Sequence, residues 1–242
     1  MAERFRAFVR HFPERLMACR HYAMTLAAAG FRPEGLVRVR VPNVGIRNVI
    51  RVDPNRIDFY CSVPVKPRRG SRFFIGGDWD VPKLPMAEVE TDNPKFVTCR
   101  QLLVEHLAPE ETAEFKMLVG VLDSRGGYRG CGSREEIRNY VENLARMYAG
   151  IRDRGYLPRA HFGGTRYSGE IECALDRDGN LIKINAGNHR FAAARILGLK
   201  SVPVQLCFVH EAHFPAVARA AGEGTFLARL NAFIGTVERR YS

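Results

Sequence analysis

The chain of 242 residues lacks any apolar run of about 20 residues, so no membrane-spanning helix is expected. Its six cysteines (Cys19, Cys61, Cys99, Cys131, Cys173 and Cys207) include no C-x-x-C pair. That spacing argues against a structural zinc site and a disulfide framework, and points to reduced thiols in a cytoplasmic protein. The N-terminal MAERFRAFVRHF lacks the apolar core of a secretory signal. Internal repeats and low-complexity tracts are missing, and Trp79 is the single tryptophan. Acidic residues are scarce beside basic ones, 26 Asp and Glu against 37 Lys and Arg, for a net charge of +11. Such an excess suits a partner that carries phosphate or another anion: a nucleotide, a nucleic acid, an acidic glycan or an anionic membrane surface.

What is present falls into two segments. Residues 1–154 read as an N-terminal α/β elaboration. Phe5, Phe8, Val9, Phe12, Leu16 and Met17 recur at helical spacing between arginines, an amphipathic pattern that suits core packing or peripheral contact with an anionic membrane at its inner face. Val37, Val39 and Val41 alternate as in a strand, and VDPNRIDFY reads as a turn and a short strand. SRFFIGGDWD reads as a strand ending in a glycine turn, with Asp78 and Asp80 on one strand face. Helices are expected near 95–107 and 109–120, and from 133 to about 154, where Ser133 and Glu136 make a capping box. Between the last two, DSRGGYRGC reads as a basic loop suited to a substrate lid or a plain linker.

Residues 155–242 change character. GEIECALDRDGNLIKINAG reads as a β-hairpin turning at Asp178-Gly179. A Gly187-Asn188-His189-Arg190 turn then opens an Ala-rich helix that stops at Gly198, and SVPVQLCFVH follows as a strand. Closing helices end the chain. Gly187 permits a tight turn and close approach of the backbone to a ligand. The turn sets backbone N–H groups, an imidazole and a guanidinium at a helix N-terminus, which is an anion site in form. The alternative is a capped helix in which Arg190 braces the hairpin.

GEIECALDRDGNLIKINAGNHRFAAARILGLKSVPVQL resembles the ParB/sulfiredoxin superfamily at Gly187, His189, Arg190, Ala193, Leu197, Gly198 and Val202-Pro203-Val204. The N-terminal half, from VDPNRIDFY through FFIGGDWD to the R-G-C loop, is similar to ParB-like proteins of bacteria and archaea. The resemblance implies an α+β fold: a small mixed sheet with helices, in which the turn binds nucleotide phosphates. Members include CTP-dependent DNA clamps, ATP-using sulfiredoxin and small-molecule kinases. Asn188 stands where sulfiredoxin has its cysteine, which sets sulfinic-acid chemistry aside. Ala186 stands where kinase-like members often carry an acid. A helix-turn-helix domain is not expected in the roughly 32 residues after His210.

These readings lead to a nucleotide-dependent phosphotransferase using ATP or ADP with Mg²⁺. Gly187, Asn188, His189, Arg190 and Lys183 are the expected cofactor-binding residues. Asp78, Asp80 and Glu172 are the expected catalytic acids, and Asp78, Asp80 and Glu170 the expected metal ligands. Glu170 and Glu172 share one face of the first hairpin strand, while Trp79 between its two acids also reads as a core anchor. The acceptor would be a hydroxyl of a small molecule, glycan or glycolipid, with Arg129 and Arg166 as further anion contacts. A non-catalytic nucleotide- or nucleic-acid-binding module is the alternative, and a ParB-like nuclease ranks last. His210 and His213 read as too sparse for a metal pair, since no third ligand is evident.

Overall fold

The computed structural model describes residues 46–62, 73–127, 131–157, 170–219 and 225–242. The expected N-terminal amphipathic helices, the Val37–Val41 strand, Cys19, Arg129 and Arg166 lie outside them. In chain order the elements are β1 (Val49–Val52), β2 (Phe59–Cys61), β3 (Phe74–Ile75), β4 (Leu84–Pro85), α1 (Met86–Asp92), α2 (Pro94–Leu103), α3 (Ala113–Arg125), α4 (Arg134–Arg154), β5 (Ile171–Leu175), β6 (Leu181–Ile184), α5 (Asn188–Ile196), β7 (Val202–His210), α6 (Phe214–Arg219) and α7 (Phe226–Tyr241).

The fold is α+β around one mixed sheet in the order β1-β7-β5-β6-β2-β4, with β3 pairing β7 beyond the end of β1. β5 runs parallel to β7 and antiparallel to β6, and β6 runs parallel to β2. β1 to β4 come from the first 154 residues and β5 to β7 from the rest, so both segments build the sheet.

Alternation along β6 divides two cores. Leu181 faces the larger one, formed with Phe191 and the alanines of α5, Tyr148 of α4, Phe96 of α2 and Leu230 and Ile234 of α7. Ile182 and Ile184 face a smaller one with Cys61, Ala174, Phe208 and Trp79. Trp79 closes this second face by an edge-to-face contact with Phe208, ring centroids 4.9 Å apart. Ala192, Ala193 and Ala194 are buried, and short side chains there let α5 lie close to its neighbours. The stripe Ile137, Val141, Leu144, Tyr148 and Ile151 explains why α4 forms a long amphipathic helix. Its cap is half of the expected box. Ser133 Oγ accepts from the Glu136 N–H at 3.2 Å, but the Glu136 carboxylate turns to the Gly132 N–H at 2.6 Å.

Several boundaries differ from expectation. α3 runs to Arg125, so Asp123, Ser124 and Arg125 of the expected basic loop are helical, and Gly126 ends the helix with φ +73°. Asp78 and Asp80 lie in a turn after β3 rather than on a strand, because the backbone reverses at Gly77 with φ +85°. Among the described residues no helix is long and apolar enough to cross a membrane. Cys61, Cys99, Cys131, Cys173 and Cys207 are free thiols.

Candidate functional site

The hairpin ends where β6 meets α5, and this junction is built under constraint. Ala186 is fastened twice to Glu172: its C=O accepts from the Glu172 N–H at 3.1 Å, and its N–H donates to the Glu172 carboxylate at 3.2 Å. Lys183, fully buried, donates from Nζ to the carbonyl of Ala186 at 2.7 Å and to that of Ile184. Burial pushes this ammonium down to about 8. Asn185 holds φ +23°, a conformation rare for a residue with a side chain. Gly187 follows with φ +81°, and a Cβ there would come within 2.6 Å of Ile171 Cα and 2.8 Å of the Glu170 carbonyl. The glycine is therefore required by close packing against β5. The expected tight turn is present, and the side of the glycine where a side chain would stand holds β5 backbone.

α5 starts from this glycine with no side-chain cap, so its first N–H groups lack the usual oxygen partner. Among the described residues, Asn188, only 6% exposed, has a buried Oδ1 with no partner, and Asn185 has a buried Nδ2 with none. An unsatisfied buried amide atom costs about 1–3 kcal/mol unless a ligand meets it, and of these two the Asn185 Nδ2 donor is the one an anion can meet. Arg190 is largely buried over the Tyr156 ring, and its Nη1 stands 3.5 Å from Glu170. Glu170 also accepts from the Tyr156 hydroxyl at 3.1 Å. Arg190 thus does brace β5, with most of its guanidinium donors not used in that pair.

His189 is tied elsewhere. Its Nε2 lies 2.8 Å from Oε2 of Glu114, a residue of α3 that is 2% exposed. A carboxylate only accepts, so Nε2 carries the hydrogen. The Tyr140 hydroxyl of α4 donates to the other oxygen, Oε1, at 3.1 Å. Glu114 and Tyr140 also line a cavity of about 280 Å³ together with Asn93, Pro94, Lys95, Met117, Leu118 and Cys131.

The acids expected to join this turn divide into two groups. Glu170 and Glu172 stand beside it. Asp78 and Asp80 stand at the opposite, β5–β6 turn end of the sheet, roughly 13 Å away along the four residues of β6. There Arg177 clamps both: it donates to Asp80 at 2.7 Å and to Asp78 at 2.8 Å, and its backbone N–H reaches Asp80 at 2.9 Å. Burial alone would raise the Asp80 carboxyl, but these donors outweigh it and hold the group at about 2. Asp78 and Asp80 are therefore a structural clasp on the hairpin, and their expected catalytic and metal roles at the turn are not met by this geometry. Among the described residues no three His, Cys, Asp or Glu side chains form a group that could hold a metal ion. His210 and His213 are occupied too, bonding the carbonyls of Gly77 at 3.1 Å and Asp176 at 2.7 Å.

Sequence reasoning missed Glu114, Tyr140 and Asn185. Tyr140 falls in the helical stripe that begins at Ile137, and nothing near Glu114 marks it; their meeting with His189 spans 49 and 75 residues, with no local signal. The chain matches no family model, no curated protein and no solved structure in the three comparisons made.

Proposed function

We propose that the chain is a nucleotide-dependent phosphotransferase that holds its donor's phosphates at the N-terminus of α5. The observation that carries this reading is the uncapped α5 terminus, beside which the Asn185 Nδ2 donor has no partner among the described residues. Backbone N–H groups aligned at a helix start favour an anion. Arg190 adds a guanidinium suited to phosphate oxygens. Lys183 works from below: it locks the turn by its two carbonyl bonds and adds positive charge without reaching the ligand. The resemblance of Gly187 to Arg190 and of the Val202-Pro203-Val204 strand to the ParB/sulfiredoxin superfamily supports the same reading, as does the order β6, turn, α5, β7 within a mixed sheet.

ATP or ADP bound here would supply the transferable phosphoryl group. The chain's own groups hold its charge and fix its direction, which is most of what phosphoryl transfer needs. The expected Mg²⁺ ligands do not come together, so no step is assigned to a protein-held metal.

The test is thermal unfolding with ATP, ADP, CTP or GTP, each with and without Mg²⁺. A ligand at 100 times its Kd stabilises by about 2.7 kcal/mol, which for a chain of this size raises Tm by roughly 5–10 °C. The shift should appear with at least one nucleotide and fall away in Arg190→Ala. No shift with any nucleotide refutes the reading, and DNA binding that weakens steeply with salt would then identify a nucleic-acid module instead.

A further inference from the structure

The cavity between α2, α3 and α4 is a second feature of the site. Its walls are mainly apolar, from Pro94, Met117 and Leu118, and one fully desolvated carboxylate, Glu114, stands among them. At about 280 Å³ it lies at the lower edge of ligand pockets, which run about 300–1,000 Å³, so it suits a compact molecule and not a sugar chain or lipid. A carboxylate buried this far is costly unless its oxygens are satisfied. Two donors, His189 Nε2–H and the Tyr140 hydroxyl, are bonded to it. An ionised carboxylate offers about four acceptor positions, so capacity remains for a hydroxyl entering from the cavity. Lys95, half-buried at the rim, has no ion-pair partner among the described residues. One imidazole joins Glu114 to the backbone of His189, the second residue of α5. The proton acceptor and the phosphate cradle are therefore a single side chain apart.

We infer that this cavity is the acceptor site of the phosphotransfer proposed above, and that it takes a small alcohol with a partly apolar body. The inference rests on that reading of the α5 turn. Glu114 takes the hydroxyl proton as the alcohol oxygen bonds the terminal phosphorus of a nucleoside triphosphate. The bond from that phosphorus to its bridging oxygen breaks, and the electron pair stays on the departing nucleoside diphosphate. His189 and Tyr140 are positioning residues: they hold the two carboxylate oxygens so that a remaining lone pair faces the cavity.

The experiment uses the full chain with benzyl alcohol as the probe. Ligand-observed NMR reads its binding, ATP-induced stabilisation is measured separately, and ³¹P NMR reads formation of benzyl phosphate with ATP. Benzyl alcohol should bind the wild type and not Met117→Trp, whose indole fills the cavity from the half-exposed rim. Glu114→Gln should still bind benzyl alcohol and ATP but form benzyl phosphate about 10²–10⁴-fold more slowly, with KM little changed. A purely structural Glu114 would instead lose binding and stability together. Benzyl alcohol binding absent from the wild type, or equal in Met117→Trp, overturns the site. No benzyl phosphate from protein that binds both compounds, or product at the wild-type rate from Glu114→Gln, overturns the role of Glu114. ATP failing to stabilise the wild type overturns the reading of the turn and Glu114's role with it, while benzyl alcohol binding still decides the cavity separately.

Discussion

Replacing Gly187 by alanine tests how the candidate site is built. Two costs apply. The residue holds φ +81°, and a Cβ in the left-handed region costs roughly 1–2 kcal/mol. The added methyl would also stand 2.6 Å from Ile171 Cα and 2.8 Å from the Glu170 carbonyl, both backbone atoms of a strand start that neighbouring strands hold in place. Forcing a methyl into such a contact costs about 1–3 kcal/mol more. Against this, alanine restricts the unfolded chain and returns about 0.4–1 kcal/mol. The net loss should be about 1–4.5 kcal/mol. Gly198 is the control, since it holds φ +64° and a methyl added there would meet nothing within 4 Å. Gly198→Ala carries the first cost and the return but not the second, so its loss should be at most about 1.5 kcal/mol. Urea unfolding of both variants, read at constant m, measures the difference. Gly187→Ala should also lose nucleotide-induced stabilisation, because the turn must lift from β5, and Gly198→Ala should keep it. Equal destabilisation by the two alanines would refute close packing of the turn on β5.

Three further outcomes follow from the electrostatics. Asp80 is held at about 2, below its unfolded value, so it stabilises the fold at pH above about 4 and that contribution is lost as pH falls toward 2. Asp80→Asn should be less stable than wild type at pH 7 and should show a shallower loss of stability between pH 4 and 2 by urea unfolding. Asp78→Asn should change little at any pH, since its side chain is 80% exposed and solvent screens its pair with Arg177, and a loss as large as that of Asp80→Asn would refute the assignment of the clasp's strength to the buried acid. Lys183 titrates near 8 in the fold and near 10.4 unfolded, so the unfolded chain binds more protons between those values and stability rises with pH there. Relative to Lys183→Met, the wild type should gain about 3 kcal/mol from pH 8 to 10.5. The buried thiols of Cys99 and Cys173, which burial pushes up to about 12, stay protonated in both folded proteins across this range, and removing the Lys183 charge raises Cys173 further. A flat difference would show that Lys183 is solvated.

Much of the fold could be read from short-range pattern. The stripe of α4, the hairpin turn at Gly179 with φ +82°, the start of α5 at Gly187 and the β7 strand all stand as expected, because each is specified by residues within one or two turns of chain. Asp78 and Asp80 were legible as a paired acidic feature but not in role. Their meaning depends on Arg177, which lies 97 residues beyond Asp80 and reaches it only because β5 and β6 fold back on the sheet. Lys183 read as a cofactor-binding cation, yet the period of two turns it into the larger core above Phe191, where it bonds the carbonyls of Ile184 and Ala186.

From its sequence alone this protein is determined to carry a hairpin, a glycine turn and an Ala-rich helix in succession, with a basic balance that favours anionic ligands. Caps, glycine conformations and hydrophobic period act over a few residues, so the sequence carries them openly. Tertiary structure alone decided that Glu114 and Tyr140 meet His189, that Asp78 and Asp80 stand at the other end of the sheet, and that a cavity opens beside the buried carboxylate. Those are relations between residues far apart in the chain, and they exist only once the burial of two cores has fixed the distances between helices and sheet.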